Sequence, residues 1–401
     1  MLTCGGADIV ADAERDLHRK TDGFATSFAA QARRLLRMHG LEGVLICSNA
    51  KGGEILHDGI LSINIPRWWD TKQGWRYHLS RIVHGVKLAG YARRNGIDLA
   101  VIDSGTAHYF SLAAFKLYGI PVAVNFHNVR WPVGYEPSGP VKKLVRKLDS
   151  WFFRNVSVGA LGCSPECSNQ ARADGAENLP FFPWSGQFMA EGFDSVLNPQ
   201  EASVPFQLLF AGRVERNKGV FDLLTIASFL KGRAGRQIVV EFCGDGAALD
   251  ELRQEIGRLG LSDMVIARGR LSASELAEAY SRCDALIVPT RGDFCEGMPL
   301  VSAEAVLSGK PVITSRLSNA LPVLGGAIAE AEPEDIQSYV SAIAAMADQP
   351  EIYARHQQAC ADVSGQFLDR SLSFAAALDR LVKSVRPEHT PLKDYSRIFS
   401  A

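Results

Sequence analysis

The chain has 401 residues, 47% of them apolar and 22% charged, with 43 Lys and Arg against 44 Asp and Glu. This length and hydrophobicity suit two compact domains with ample core and exclude a mainly disordered chain. The balanced charge argues against a dedicated nucleic-acid binder, and no run of about 18 uncharged apolar residues marks a membrane-spanning helix.

The N-terminus lacks the basic-then-apolar layout of a secretory signal. The eight cysteines are scattered, and Cys47 and Cys243 sit in apolar runs, as reduced thiols of a cytoplasmic protein do. Cys163 and Cys167 are spaced CxxxC, but no second Cys or His pair follows at zinc spacing, so no metal is expected.

In chain order, short β-branched runs alternate with longer amphipathic ones, which predicts α/β layering around parallel sheets. Met1–Cys4 offers an abbreviated first strand before a long polar stretch. A helix is expected over Gly23–Met38, a strand over Gly43–Cys47, a helix over Leu79–Arg94 and a strand over Leu99–Asp103. Asp58–Trp75, with Trp68 and Trp69, reads as an inserted loop. Ala107–Tyr118 reads as a helix, Pro121–Phe126 as a strand ending at His127, Val141–Arg154 as a helix and Val156–Cys163 as a strand. Leu179–Pro205 carries four prolines, breaks the rhythm and reads as an inter-domain connection.

The alternation then restarts. Strands are expected at Gln207–Ala211, Gln237–Phe242, Met264–Ala267, Ala285–Pro289 and Pro311–Thr314. Helices are expected at Val220–Leu230, Leu249–Leu259, Ser274–Ser281, Pro299–Leu307 and Leu372–Val385. The domains would span 1–200 and 201–370, with 371–401 forming a helix that returns to the first domain and a tail. Up to residue 198 the chain holds 22 basic and 18 acidic residues, and beyond it 21 and 26, so the first half is mildly basic.

Two segments carry candidate chemistry. In Phe210–Gly219, an apolar strand ends at Gly212, Arg213 follows, and Lys218 and Gly219 open the next helix. Ligands of parallel α/β sheets bind at the carboxyl ends of strands, and two cations beside a helix start suit a diphosphate. In Glu296–Glu304, Glu296 lies in a loop and Glu304 in the second turn of a helix, so both carboxylates can face one pocket. Carboxylates there accept hydrogen bonds from hydroxyl-rich ligands, and the Met298, Pro299, Leu300 segment forms a positive helix start.

The strand–Gly-Arg-x4-Lys-Gly segment, the Cys-Gly-Asp-Gly at 243–246 and the Glu-Gly-x-Pro-x4-Glu block together resemble the retaining family-four glycosyltransferases. That resemblance implies a GT-B fold: two Rossmann-like domains, each with a parallel sheet, facing across a cleft. It implies a nucleotide-sugar donor and a glycan or lipid-linked acceptor, with no metal or other cofactor. Arg213 and Lys218 would hold the diphosphate and neutralise the leaving nucleotide. Glu304 would bind the ribose, and Glu296 with Gly297, Met298, Pro299 and Leu300 the donor sugar. Gly212 and Gly244 would line the donor site, Arg268 and Gly269 the base. Gly23 is the phosphate-loop candidate of the first domain. His127, with Asn128 beside it, would face the cleft at a strand end, and Asp103 and His108 are further acceptor-side candidates.

Helix 141–154 places Val141, Leu144, Val145, Leu148, Trp151 and Phe152 on one face and Lys142, Lys143, Arg146 and Lys147 on the other. Such a helix either covers a sheet with a solvated basic face or meets anionic lipid. Bacterial exopolysaccharide or cell-surface glycan synthesis, at the inner face of the cytoplasmic membrane, is the setting the family implies. Alternatives are a silent GT-B scaffold in a polysaccharide assembly complex, or another GT-B enzyme such as a sugar-nucleotide epimerase or a phosphorylase.

Overall fold

The computed structural model describes residues 1–17, 25–69, 74–190, 193 and 201–399. Gly23 lies outside them.

The first half builds an eight-stranded sheet in the order β3-β4-β2-β1-β5-β6-β7-β8. β1 (Leu2–Thr3) is short but central, pairing in parallel with β2 (Gly43–Cys47) on one side and β5 (Ala100–Asp103) on the other. The polar stretch after Cys4 contains a helix, α1 (Ile9–Leu17), which buries Ile9 and Ala13. α2 (Phe28–Met38) is capped by Ser27, whose hydroxyl accepts from the Ala30 amide.

The segment read as an inserted loop is a sheet extension. β3 (Glu54–His57) pairs antiparallel with β4 (Ile60–Asn64), and β4 pairs in parallel with β2. β4 buries Ile60, Ser62 and Asn64. Two of its three inward residues are polar, so the apolar alternation that signals a strand is missing.

α3 (Gly74–Arg94), α4 (Ala113–Leu117), β6 (Val122–Phe126), α5 (Pro140–Asn155), β7 (Ser157–Gly162) and α6 (Pro165–Ala173) follow. A 3₁₀ turn over Tyr109–Leu112 replaces the first part of the helix expected at 107–118. The connection expected at 179–205 begins with an eighth strand, β8 (Phe181–Pro183), parallel to β7. It ends the sheet order, an edge position that tolerates proline.

The second half forms a six-stranded parallel sheet in the order β11-β10-β9-β12-β13-β14. Its elements are β9 (Phe206–Ala211), α7 (Val220–Lys231), β10 (Ile238–Cys243), α8 (Leu249–Arg258), β11 (Val265–Gly269), α9 (Ala273–Arg282), β12 (Ala285–Val288), α10 (Leu300–Leu307) and β13 (Val312–Thr314). After these come α11 (Leu321–Leu324), β14 (Ile328–Glu330), α12 (Ile336–Asp348) and α13 (Pro350–Ser364). Pro299 is the N-cap of α10 rather than its first helical residue, with ψ 121°.

The chain passes between the halves twice, and the two passages are joined. The Ser185 amide donates to the Leu372 carbonyl at 2.8 Å and the Phe188 amide to Phe367 at 3.1 Å. α14 (Phe374–Val385) then packs on the first sheet, where Phe374 and Leu381 share a core with Leu2, Leu45 and Leu161.

α5 corrects the reading of its apolar face. Only Phe152 of the six apolar residues is buried, and Val145 is half-buried. Val141, Leu144, Leu148 and Trp151 are 55%, 57%, 37% and 46% exposed. The helix instead turns Asp149, Ser150, Phe152 and Phe153 inward. Asp149 is held there because it accepts the Phe110 amide at 3.0 Å.

Candidate active site

Three strand ends of the second sheet interlock through their glycines. The Gly212 amide donates to the Cys243 carbonyl (3.0 Å), and the Gly244 amide to the Gly269 carbonyl (2.8 Å). A Cβ on Gly244, at φ 153°, would lie 1.7 Å from the Gly212 carbonyl oxygen. Only glycine permits this approach, which brings the loops after β9, β10 and β11 together. Arg213 leaves this rim 58% exposed, with Glu215 at 2.9 Å. Arg268 is drawn instead to Glu241 on the neighbouring strand, at 2.9 Å, and Arg282 reaches the same oxygen.

Lys218 precedes α7, and its ammonium forms an ion pair with Glu296. Both are largely buried. The ammonium also lies 4.0 Å from the centroid of the Phe294 ring, over which Arg213 extends at 5.6 Å. Thr290 donates to the same Glu296 oxygen at 3.3 Å. Gly219 fixes the geometry, since a Cβ there would stand 2.0 Å from the Pro289 carbonyl oxygen. The start of α7 is thereby held against the end of β12.

Glu304 is buried on α10 and accepts a hydrogen bond from Tyr280 at 2.8 Å. Burial pushes its carboxyl up to about 6, and the Tyr280 hydroxyl opposes that rise. Glu296 and Glu304 therefore have different partners. Met298 and Pro299 are half-buried and buried, whereas Leu300 is exposed with its tip against Gly186.

The two halves meet at the loop after β6. The Val129 amide donates to the Glu296 carbonyl at 3.4 Å, and Asn319 donates to that carbonyl at 2.6 Å. Gly297 lies against the His127 backbone. His127 stands at the end of β6, its ring 4.0 Å from Phe28 and 5.1 Å from Trp184. Its Nε2 lies 2.8 Å from Asn125 Nδ2 and 3.1 Å from Asp103 Oδ1.

Trp184 orients the Asn125 amide. Its indole N–H, a donor only, points at Asn125 Oδ1 at 3.1 Å. The Asn125 amide nitrogen therefore faces both Asp103 Oδ1, to which it donates at 3.1 Å, and His127 Nε2. Burial pushes His127 down to about 3 and raises Asp103, a rise that its hydrogen bonds from Ser104 and Asn125 oppose.

His108 belongs to a different group. It stacks on His78 at 5.1 Å, with His78 Nδ1 3.0 Å from its Nε2. Burial, with His78 and Arg81 nearby, lowers it to about 4. Both line a cavity of about 870 Å³ shared with exposed Asn128, Arg81, Trp131, Lys142 and, from the second half, Gly292. Tyr135 crosses between the halves and donates to Glu334 at 2.6 Å.

The structure thus gathers Arg213, Lys218 and Glu296 around Phe294, and Asp103, His127 and Gly297 at the junction. Phe294, Asn319, Tyr280, Asn125 and Trp184 were not singled out from sequence. Their signal is weak, because none belongs to a spaced motif and each works through one contact across the fold.

Residues 198–361 match the family model "Glycosyl transferases group 1". Similar curated proteins include a glycogen synthase of Mycobacterium tuberculosis (strain ATCC 25618 / H37Rv), 24% identical over 62% of this chain and 60% of the synthase. A D-inositol 3-phosphate glycosyltransferase of Arthrobacter sp. (strain FB24) is 32% identical over 28% of this chain and 27% of its own. The chain thus spans about 60% of the glycogen synthase it matches and less of the inositol-phosphate enzyme. Among solved structures, a sucrose-phosphate synthase from Thermosynechococcus elongatus superposes with TM-score 0.69 at 15% identity, covering 96% of this chain and 99% of that one. Anabaena HepE in complex with UDP gives TM-score 0.63 at 15% identity over 96% and 99%. The chain therefore has the GT-B fold, and its second half carries the glycosyl transferases group 1 match.

Proposed function

We propose that this protein is a retaining glycosyltransferase of family four, which moves a hexose from a nucleotide-diphosphate sugar to a hydroxyl acceptor. The observation that carries the reading is the buried Lys218–Glu296 pair at the strand ends of the second sheet, with Arg213 over the same Phe294 ring. Lys218 and Arg213 are positioned to neutralise charge that grows on a departing diphosphate. A diphosphate would take Lys218 from Glu296 and leave that carboxylate to accept sugar hydroxyls. Glu304 would take the ribose.

No protein base is assigned. The donor phosphate itself removes the acceptor proton in this reading, and His127 orients the sugar or acceptor. Arg213, Lys218 and the helix start of α10 supply the charge stabilisation, so the reaction needs neither metal nor other cofactor. Closure of the two halves excludes water.

The acceptor would occupy the cavity beside His108 and Asn128, whose Arg81 and Lys142 favour a negatively charged glycan or lipid-linked molecule. Among the described residues no helix is long and apolar enough to cross a membrane. Contact with anionic lipid would come through α5, where exposed Leu144, Leu148 and Trp151 stand beside exposed Lys143 and Lys147. In this reading the enzyme works at the inner face of the cytoplasmic membrane, in surface-glycan or exopolysaccharide assembly.

Thermal unfolding with UDP, GDP and ADP tests the donor site, since a ligand of the native state raises stability by RT ln(1+[L]/Kd). One nucleotide should raise the midpoint, and Glu304→Ala should reduce the rise. NMR of the product anomer then tests retention. Binding without turnover on any nucleotide-sugar would favour the silent scaffold, and conversion of the donor sugar without transfer would favour an epimerase.

A further inference from the structure

Away from the cleft, three side chains from three elements converge. His39 follows the last turn of α2, Asp379 lies on α14, and His389 lies in the tail beyond it. His39 Nε2 is 3.1 Å from Asp379 Oδ1, and His389 Nε2 is 2.5 Å from the same oxygen. The imidazole centroids are 4.6 Å apart, and the three ligand atoms all lie within 4.8 Å of one another.

The carboxylate is fixed from behind. Asp379 is 1% exposed, and its Oδ2 accepts the Leu392 amide at 2.8 Å and the Tyr395 hydroxyl at 3.1 Å. That leaves Oδ1 alone toward the two rings. Outer hydrogen bonds of this kind orient metal ligands. The cluster also borders a cavity of about 780 Å³, which gives an entry path.

A purely hydrogen-bonded cluster explains this arrangement less well. His39 Nε2, 3.1 Å from Asp379 Oδ1, is buried there without a well-directed hydrogen bond. Metal ligation accounts for the convergence. Bonds of about 2.0–2.1 Å in a tetrahedron put ligand atoms about 3.3 Å apart; the His39–Asp379 spacing of 3.1 Å is close to this, and His389, at 2.5 Å from the same oxygen, would move outward by a few tenths of an ångström to admit an ion. Two imidazoles and one carboxylate, with a water in the fourth position, make a zinc ligand set. Magnesium, which demands oxygen ligands in an octahedron, does not fit.

We propose that His39, Asp379 and His389 bind one zinc ion, which clamps the C-terminal tail and α14 to α2 of the first half. The ion joins three elements of the fold, with its fourth position open to the bordering cavity. None of the three residues lies in the proposed donor or acceptor sites, so the clamp stands whether or not the chain transfers sugar.

The test uses the full chain, stripped with chelator and titrated with ZnCl₂ by calorimetry, with thermal unfolding alongside. One zinc should bind per chain and raise the unfolding midpoint. His39→Ala and His389→Ala should each weaken binding by on the order of 100-fold or more, at least the loss seen for an outer-shell partner. CoCl₂ should give a visible ligand-field band that His389→Ala removes. MgCl₂ should do nothing. Asp379 is too buried for its loss to be separable from misfolding, so the histidine variants decide. The proposal is overturned if no zinc binds stoichiometrically, if both histidine variants bind as the parent does, or if Cys163→Ser with Cys167→Ser abolishes binding.

Discussion

A Cβ on Gly297 would lie 1.8 Å from the carbonyl oxygen of His127 and 2.7 Å from the Cys163 sulfur. The loop that leads into α10 is thus seated directly on the strand end of the other half. Gly297→Ala is expected to push the halves apart and to lower stability by about 1–3 kcal/mol, the usual range for overpacking. Turnover should fall with it. Gly232→Ala, which meets no heavy atom within 4 Å, is the control. Thermal unfolding and transfer assays on both variants check this.

Lys218→Ala and Arg213→Ala should each lower kcat by about 10²–10³-fold, as removal of one charge-stabilising donor does. Arg213 is more exposed than Lys218, so its loss should leave stability unchanged. Lys218→Ala also leaves Glu296 in a largely buried place without its cation, so its unfolding midpoint should drop. Replacing Glu296 by Gln in the Lys218→Ala background should recover part of the midpoint but none of the rate.

Glu304 has a folded pKa near 6, above its ordinary 4.5, because burial disfavours the carboxylate. Its protonated form is therefore favoured on folding. The stability this gives is full below the ordinary pKa and is lost as pH rises through about 6. Glu304→Gln should accordingly be as stable as the parent or up to about 2 kcal/mol more stable at pH 7. Nucleotide affinity should move the opposite way, with the parent binding less tightly below pH 6 and the variant binding weakly throughout. Unfolding and nucleotide titrations from pH 5 to 8 separate the two effects.

His127, held near 3 by burial, stays neutral through the working pH range. Its folded pKa lies below its unfolded value, so its contribution to stability is lost as pH falls below about 6.5. The rate–pH profile should show no limb from His127 between pH 5.5 and 8. His127→Ala should lower the rate without changing the shape of that profile.

Charge reversal of Lys143 and Lys147 to Glu should abolish co-sedimentation with vesicles containing anionic lipid, and salt should weaken the binding of the parent. Leu144→Ser with Trp151→Ser should weaken binding even at low salt, because those side chains are exposed in the free protein. Unaltered binding in both variants would remove α5 from the account.

The alternation of strands and helices was legible because most strands bury apolar residues on both faces, as β5, β6, β9 and β12 do. β4 was not legible, since Ser62 and Asn64 face inward and Asn64 is kept there by bonds to Asp8, Gly52 and the Ile9 amide. α5 was misread for a related reason. Periodicity marks an apolar face but not which way it points, and Asp149 with its Phe110 partner turned the helix. In the candidate site, Arg213, Lys218, Glu296 and Glu304 were singled out by spacing. Asn125 and Trp184 were not, because the Asn125 amide is oriented by a contact 59 residues away in sequence.

The paired passages between the halves bear on how firmly the halves are joined. With Ser185 bonded to Leu372 and Phe188 to Phe367, one half is not tethered to the other by a single string free to swivel. It is held at two adjacent passages that are bonded to each other along the backbone. A break in one strap would not let the halves drift apart, since the second strap and α14, seated on the first sheet, would still hold them.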